Sequence, residues 1–289
     1  MGLGASGKSS IEAVVFDGKT PMEVADYQAT INYSRSTRNF IDSSFQIIDC
    51  GGQELFLSSF IGDHAEFIFT DVSILIWVVD LSNFDQVSTG KFYFDHAVKR
   101  LHEFSPNAEI FCFLHKSDLL NPAMHDEITA NMKTFFTPPV ELKIHFRLTS
   151  IHNDSVFLAV GEMIRRLIVQ DSKGNSLSEA IHAFVRKNDE IIGITFYNKE
   201  GLPLFTHGGD RSRQVLQPSD LISSNHQRIL SEFTRNSVFN ITLETDRNFF
   251  IFKRVNKGLI LSVITLKTAP LQITQIKADE LVDVLYTLV

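Results

Sequence analysis

The feature that most constrains this chain is its first ten residues, Met1-Gly2-Leu3-Gly4-Ala5-Ser6-Gly7-Lys8-Ser9-Ser10. They fit the phosphate-loop pattern G-x-x-x-x-G-K-[ST], with Gly2, Gly7, Lys8 and Ser9 at the fixed positions. Small residues at Gly4, Ala5 and Ser6 let the backbone turn its N–H groups inward onto an anion. At these positions Lys8 bridges β- and γ-phosphates and the Ser9 hydroxyl ligates Mg²⁺. The apolar-periodic run from Ile11 to Phe16 reads as the helix that Ser10 leads into, with its N-terminus facing the phosphates. A Gly/Ser-rich flexible start is the competing reading. Such a loop hangs from a buried strand, and only Met1 precedes Gly2, so the expectation is a start truncated by one strand.

The rest of residues 1–172 supplies segments that suit this loop. Asp17 to Thr37 reads as a loop carrying Thr30, whose hydroxyl is spaced to reach Mg²⁺ and whose N–H is spaced to reach a γ-phosphate. On spacing alone a plain surface threonine is the better reading. Phe45 to Asp49 reads as a buried strand ending in a carboxylate, where Mg²⁺ is held through water. Behind Asp49, the Gly52 N–H can meet the γ-phosphate and Gln53 can orient attacking water. Val72 to Asp80 and Glu109 to Leu114 are nearly continuous apolar runs, as in parallel strands covered on both faces. The second ends in His115-Lys116-Ser117-Asp118. An aspartate there can accept from guanine N1–H and the exocyclic amine, with the Lys116 stem packed on the base. Ile144 to Ile151 reads as a last strand that brings Ser150 and Ile151 to the base. Strand and helix alternate throughout, which predicts an α/β fold with a doubly wound parallel sheet.

At 289 residues, with 44% apolar and 21% charged residues, the chain has the dimensions of a globular protein of two domains. Its longest apolar run, Ser73 to Val79, is too short to cross a bilayer. The net charge of −7 is uneven: 13 basic against 22 acidic residues in 1–172, and 14 against 12 beyond. No basic stripe interleaved with aromatics is present, which argues against nucleic acid as a partner. Cys50 and Cys112 lie in apolar runs and read as reduced cytosolic core thiols. The polar stretch Asp171 to Ser176 is the expected boundary, giving domains at 1–172 and 176–289. Beyond it the pattern becomes helix (Leu177 to Lys187), hairpin (Glu190 to His207), helix (Leu221 to Thr234), three antiparallel strands (Val238 to Lys267) and helix (Thr274 to Leu288). That half carries no clustered acid, base or nucleophile, so its expected role is binding, and the run Phe249-Phe250-Ile251-Phe252 is expected to leave apolar surface for a dimer contact.

Together these motifs resemble the Rag family of Ras-like GTPases. Asp49-Cys50-Gly51-Gly52-Gln53, Ile110-Phe111-Cys112 and His115-Lys116-Ser117-Asp118 carry the likeness, because His in place of the usual Asn at 115 is a Rag habit. Ala29-Thr30-Ile31 is similar to the Rag switch I and Thr149-Ser150-Ile151 to its base-binding loop. The resemblance implies a P-loop GTPase domain followed by a smaller α+β roadblock/longin-like domain. It implies binding of GTP and GDP with Mg²⁺ and hydrolysis of GTP. It also implies a homo- or heterodimer with another Rag-like GTPase, roadblock-type scaffold proteins, activators and exchange factors. The implied place is the cytoplasm, with attachment to endolysosomal membranes only through partners, in nutrient and TOR-type signalling. A non-hydrolysing, nucleotide-binding scaffold subunit is the alternative that the sequence leaves open.

Overall fold

The computed structural model describes residues 1–40, 43–138, 140–168, 172–198, 201–208, 238–256 and 258–288. The helix expected at Leu221 to Thr234, residues 199 and 200 of the expected hairpin turn, and Asp171 lie outside the described residues. The chain divides into two compact units, residues 1–39 with 44–159, and residues 40–43 with 160–289.

The first unit is built on a three-stranded parallel sheet of β3 (Ile74–Asp80), β4 (Glu109–His115) and β5 (Ile144–Thr149), in the order β3-β4-β5. The central strand β4 is apolar on both faces because both are covered. Ile110, Cys112 and Leu114 join one core with Trp77, Phe94 and Phe136, while Phe111 and Phe113 meet edge-to-face on the other side. Trp77 is fully enclosed, its ring set edge-on to Phe94 at 5.6 Å. Helix α4 (Val87–Phe104) covers this core with Phe94, Ala97, Val98 and Leu101, a 3–4 spacing that puts one apolar stripe inward. Met1 stands in ladder register beside β3, donating to Ile76 O (2.7 Å) and accepting from Val78 N–H (2.9 Å). The phosphate-loop segment therefore leaves the sheet at the C-terminal edge of the strands, where open α/β sheets bind ligands.

Two expectations need correcting. The loop read from Asp17 to Thr37 contains the start of β1 (Tyr33–Phe40), which pairs with β2 (Ser43–Cys50) in a separate two-stranded sheet. β2 is half-buried rather than buried: Ser44 and Gln46 face solvent and alternate with Phe45 and Ile47, and over residues 44–50 only Asp49 and Cys50 are enclosed. Helices α1 (Lys8–Phe16) and α6 (Ser155–Ile168) lie close to the expected spans. Helices α2 (Glu54–Ile61), α3 (Ala65–Phe69) and α5 (His125–Phe135) add to the pattern read from sequence. Both cysteines are buried free thiols, and burial pushes that of Cys112 well above its ordinary range.

The second unit has a five-stranded antiparallel sheet of β6 (Ile191–Asn198), β7 (Pro203–Gly208), β8 (Asn240–Glu244), β9 (Asn248–Asn256) and β10 (Leu259–Leu266), in the order β7-β6-β10-β9-β8. Helix α7 (Ser172–Arg186) begins inside the stretch read as a polar break. Helix α8 (Leu271–Leu288) buries Thr274, Ala278, Leu281 and Leu285, and its Asp279 takes a 2.6 Å bond from the enclosed ammonium of Lys253. Phe250, Ile251 and Phe252 are enclosed on both sheet faces and Phe249 is half-buried, so this run leaves little apolar surface. The exposed apolar groups among the described residues of this unit are instead Phe239, before β8, and Ile273, Ile276, Val284 and Tyr286 on α8. No helix among the described residues is long and apolar enough to cross a membrane.

Candidate functional site

The turn from Gly7 into α1 sets the site. Gly7 precedes the helix at φ 93°, a left-handed conformation that glycine adopts without a Cβ clash. A Cβ here would also stand 2.8 Å from the His115 ring. No side chain caps α1, so its first N–H groups remain available to an anion. Lys8 reaches back over the loop, donating to Leu3 O (2.7 Å) and Ser6 Oγ (3.3 Å). Burial drives its ammonium pKa down to about 8, against the opposing charge of Asp49.

Three oxygens from distant parts of the chain meet beside Lys8. Ser9 Oγ lies 2.7 Å from Thr30 Oγ1 and donates to Asp49 Oδ2 at 2.5 Å, and Thr30 Oγ1 donates to the same carboxylate oxygen at 3.2 Å. Two hydroxyls and a carboxylate form a hard-oxygen donor set of the kind that suits Mg²⁺. Gly52 lies directly against the loop: a Cβ on it would stand 2.5 Å from Leu3 O and from Lys8 Nζ. Gln53 follows in extended conformation as the residue before α2, its carbonyl accepting from the N–H groups of Phe56 and Leu57 while its side chain stays exposed.

On the other flank, the parallel register aligns Asp80 with His115 and His115 with Thr149. His115 Nδ1 and Thr149 Oγ1 share a 3.0 Å hydrogen bond, and Ser117 Oγ donates to Thr149 O. Burial, helped by the Lys116 charge, drives the His115 pKa down to about 4, so the imidazole is neutral near pH 7. Lys116, at φ 61°, donates to Ala5 O (3.0 Å) and to Asp80 Oδ2 (2.6 Å).

These pieces surround one cavity of about 450 Å³. Its walls include Gly4, Ala5, Gly7, Lys8, Ser9 and Ser10 from the loop, and Thr30, Gly52 and Gln53 on the phosphate side. His115, Lys116, Asp118 and Ile151 form the other end. Three residues expected at the site do not line it. Ser6 is buried beneath the loop, Asp49 is reached through Ser9, and Ser150 is fully enclosed, its Oγ taken by the His152 N–H. Ser150 thus shapes the loop that presents Ile151 and His152.

Sequence reading missed the roof, formed by Pro21, Val24, Tyr27 and Gln28. The one local signal was the capping box in which Glu23 accepts from Thr20 N–H (2.7 Å), fixing a tight turn. It also missed Asp80, whose bond to Lys116 comes from the sheet register.

A helix-borne phosphate loop, a converging hydroxyl–carboxylate set and an aspartate at the far end of the same cavity define a small GTPase. Residues 1–202 match the Gtr1/RagA G protein conserved region, and the chain belongs to that family. It is similar to the GTP-binding protein GTR1 of Saccharomyces cerevisiae, 29% identical over 229 residues, covering 76% of this chain and 71% of that protein. It also resembles the GTP-binding protein gtr2 of Schizosaccharomyces pombe (32% identical, covering 59% and 54%) and the human Ras-related GTP-binding protein C (30% identical, covering 59% and 43%). Among solved structures, the Arl6 BBS3 small GTPase of Trypanosoma brucei with a bound nucleotide analogue is 20% identical over 56% of this chain and 90% of that one, at a TM-score of 0.43. The chain is thus a Rag/Gtr-type GTP-binding protein and a GTPase, an enzyme that hydrolyses GTP.

Proposed function

We propose that this chain is a guanine-nucleotide switch whose two states are set by the single cavity between the phosphate loop and the Asp118 segment. The observation that carries the reading is the convergence on that cavity of Lys8, Ser9, Thr30, Gly52 with Gln53, and Asp118, with Asp49 behind Ser9. The loop N–H groups and Lys8 hold the β- and γ-phosphates of GTP. Ser9, Thr30 and Asp49 would together hold a Mg²⁺ ion, which would supply positive charge to offset that of the phosphates. Gln53, at the rim beside Gly52, orients a water in line with the γ-phosphorus. Attack forms the new P–O bond as the bond to the β,γ-bridging oxygen breaks, and GDP leaves with inorganic phosphate. Thr30 has a γ-phosphate-side partner only in the GTP state, so the segment it belongs to reports which nucleotide is bound.

At the base end, the Asp118 carboxylate accepts from guanine N1–H and the exocyclic amine. Asp118→Asn turns an acceptor into a mixed donor and acceptor, which suits the xanthine oxygen. Competition by XTP then rises as GTP binding falls. Equal competition by ATP and GTP in the parent protein removes the guanine assignment.

We infer further that the protein works as a dimer with another Rag-like GTPase, associated with roadblock-type scaffolds and reaching endolysosomal membranes through them in nutrient and TOR-type signalling. The outward apolar side chains of α8 support a contact in the second unit.

A further inference from the structure

Asp80 ends β3 and has no part in the mechanism described so far, yet its carboxylate is tightly held. Its side chain is only 12% exposed. Oδ1 accepts from the Ser82 N–H (2.8 Å) and Ser82 Oγ (2.5 Å), an Asx-type turn that fixes the carboxylate in one orientation. Oδ2 accepts the Lys116 ammonium at 2.6 Å. The Leu81 N–H donates to His115 O at 3.0 Å, so the two strand ends are tied together where Asp80 leaves the sheet. Burial pushes the carboxyl up, and the bonds from Lys116 and Ser82 more than cancel it, leaving the group below its ordinary range.

Lys116 needs such a partner. Its backbone is left-handed at φ 61°, an uncommon conformation for a residue with a Cβ. Its stem is flexible, and an unrestrained ammonium moves freely among rotamers and water. Here one ammonium bridges the P-loop carbonyl of Ala5 and the carboxylate of Asp80, so two short bonds fix the whole side chain along the cavity wall. We propose that Asp80 is a positioning residue of the nucleotide pocket, acting through Lys116 to clamp the base-side wall to the phosphate loop and so slow nucleotide release. The inference rests on reading the cavity as a guanine-nucleotide site.

The test measures dissociation of radiolabelled GDP from the full chain. Lys116→Ala is expected to speed release about tenfold, the scale of one charge-assisted bond. Asp80→Asn, which keeps an acceptor for Ser82 and loses the charge, is expected to speed it by a similar factor. Asp80→Glu is expected to recover most of the parent rate, and Asp80→Asn combined with Lys116→Ala to be no faster than Lys116→Ala alone. A role confined to holding the strand end predicts neither the rescue nor the lack of additivity. An unchanged rate in Asp80→Asn beside a fast Lys116→Ala overturns the proposal, as do effects that multiply in the double variant. A parent protein that does not retain GDP overturns the nucleotide reading itself, a result distinguishable from either.

Discussion

His115 stands between Gly7 and Thr149 as a neutral ring, and its neutrality has a cost in acid. In the unfolded chain it takes up a proton as pH falls through 6.5, while in the folded protein it resists until about 4. The unfolded state therefore binds the extra proton between these values. Stability from this group is fully present above pH 6.5 and is lost as pH falls towards 4. The loss between about pH 7 and about pH 5 is on the order of 2 kcal/mol. His115→Asn should remove that share of the acid sensitivity, read from urea denaturation at the two pH values; equal sensitivity in variant and parent contradicts the assignment. That Lys8, Ser9 and Asp118 would stand together at one cavity was legible from the sequence, because each belongs to a motif of fixed local spacing. Asp80 and Tyr27 were not, because each reaches the site through pairing or folding of segments far apart in the chain.

Among elements, the segment from Thr30 to β1 depends on a single glycine. The Gly51 N–H donates to Asn32 O at 2.6 Å, and a Cβ on Gly51 would stand 2.6 Å from that oxygen and 2.7 Å from Thr30 O. Both neighbours are backbone, so a methyl group there displaces the segment and takes Thr30 away from Ser9. Gly51→Ala is expected to weaken GTP binding by roughly tenfold, about the loss of one hydrogen bond to a charged group, and to leave GDP binding close to the parent's. Titration with both nucleotides checks this, and a parallel loss for both refutes it. The apolar runs of β3 and β4 identified the central strands, since continuous burial leaves that trace. β1, with Ser, Arg, Thr and Asn between Tyr33 and Phe40, carries no apolar alternation and forms through its pairing with β2. The short α2 and α3 offer too few residues for a helical period to stand out.

For the whole molecule, the proposed dimer contact moves from the buried β9 run to the outward side of α8. Ile276 is 59% exposed and Ile273 48%. Replacing both with Glu should shift full-length protein towards the monomer in sedimentation, or reduce recovery of a Rag-like partner, without changing GDP affinity. Retained association means that the contact lies elsewhere.

Trp77 gives the two units separate optical identities. It is the only tryptophan in the sequence, and it lies under the first unit's core, edge-on to Phe94, while the second unit has none. Emission excited in the indole band therefore follows the nucleotide-binding unit alone, whereas far-ultraviolet circular dichroism follows both. Where the two signals part during denaturation, the difference is the unfolding of the second unit, observed without cutting the chain or attaching a label.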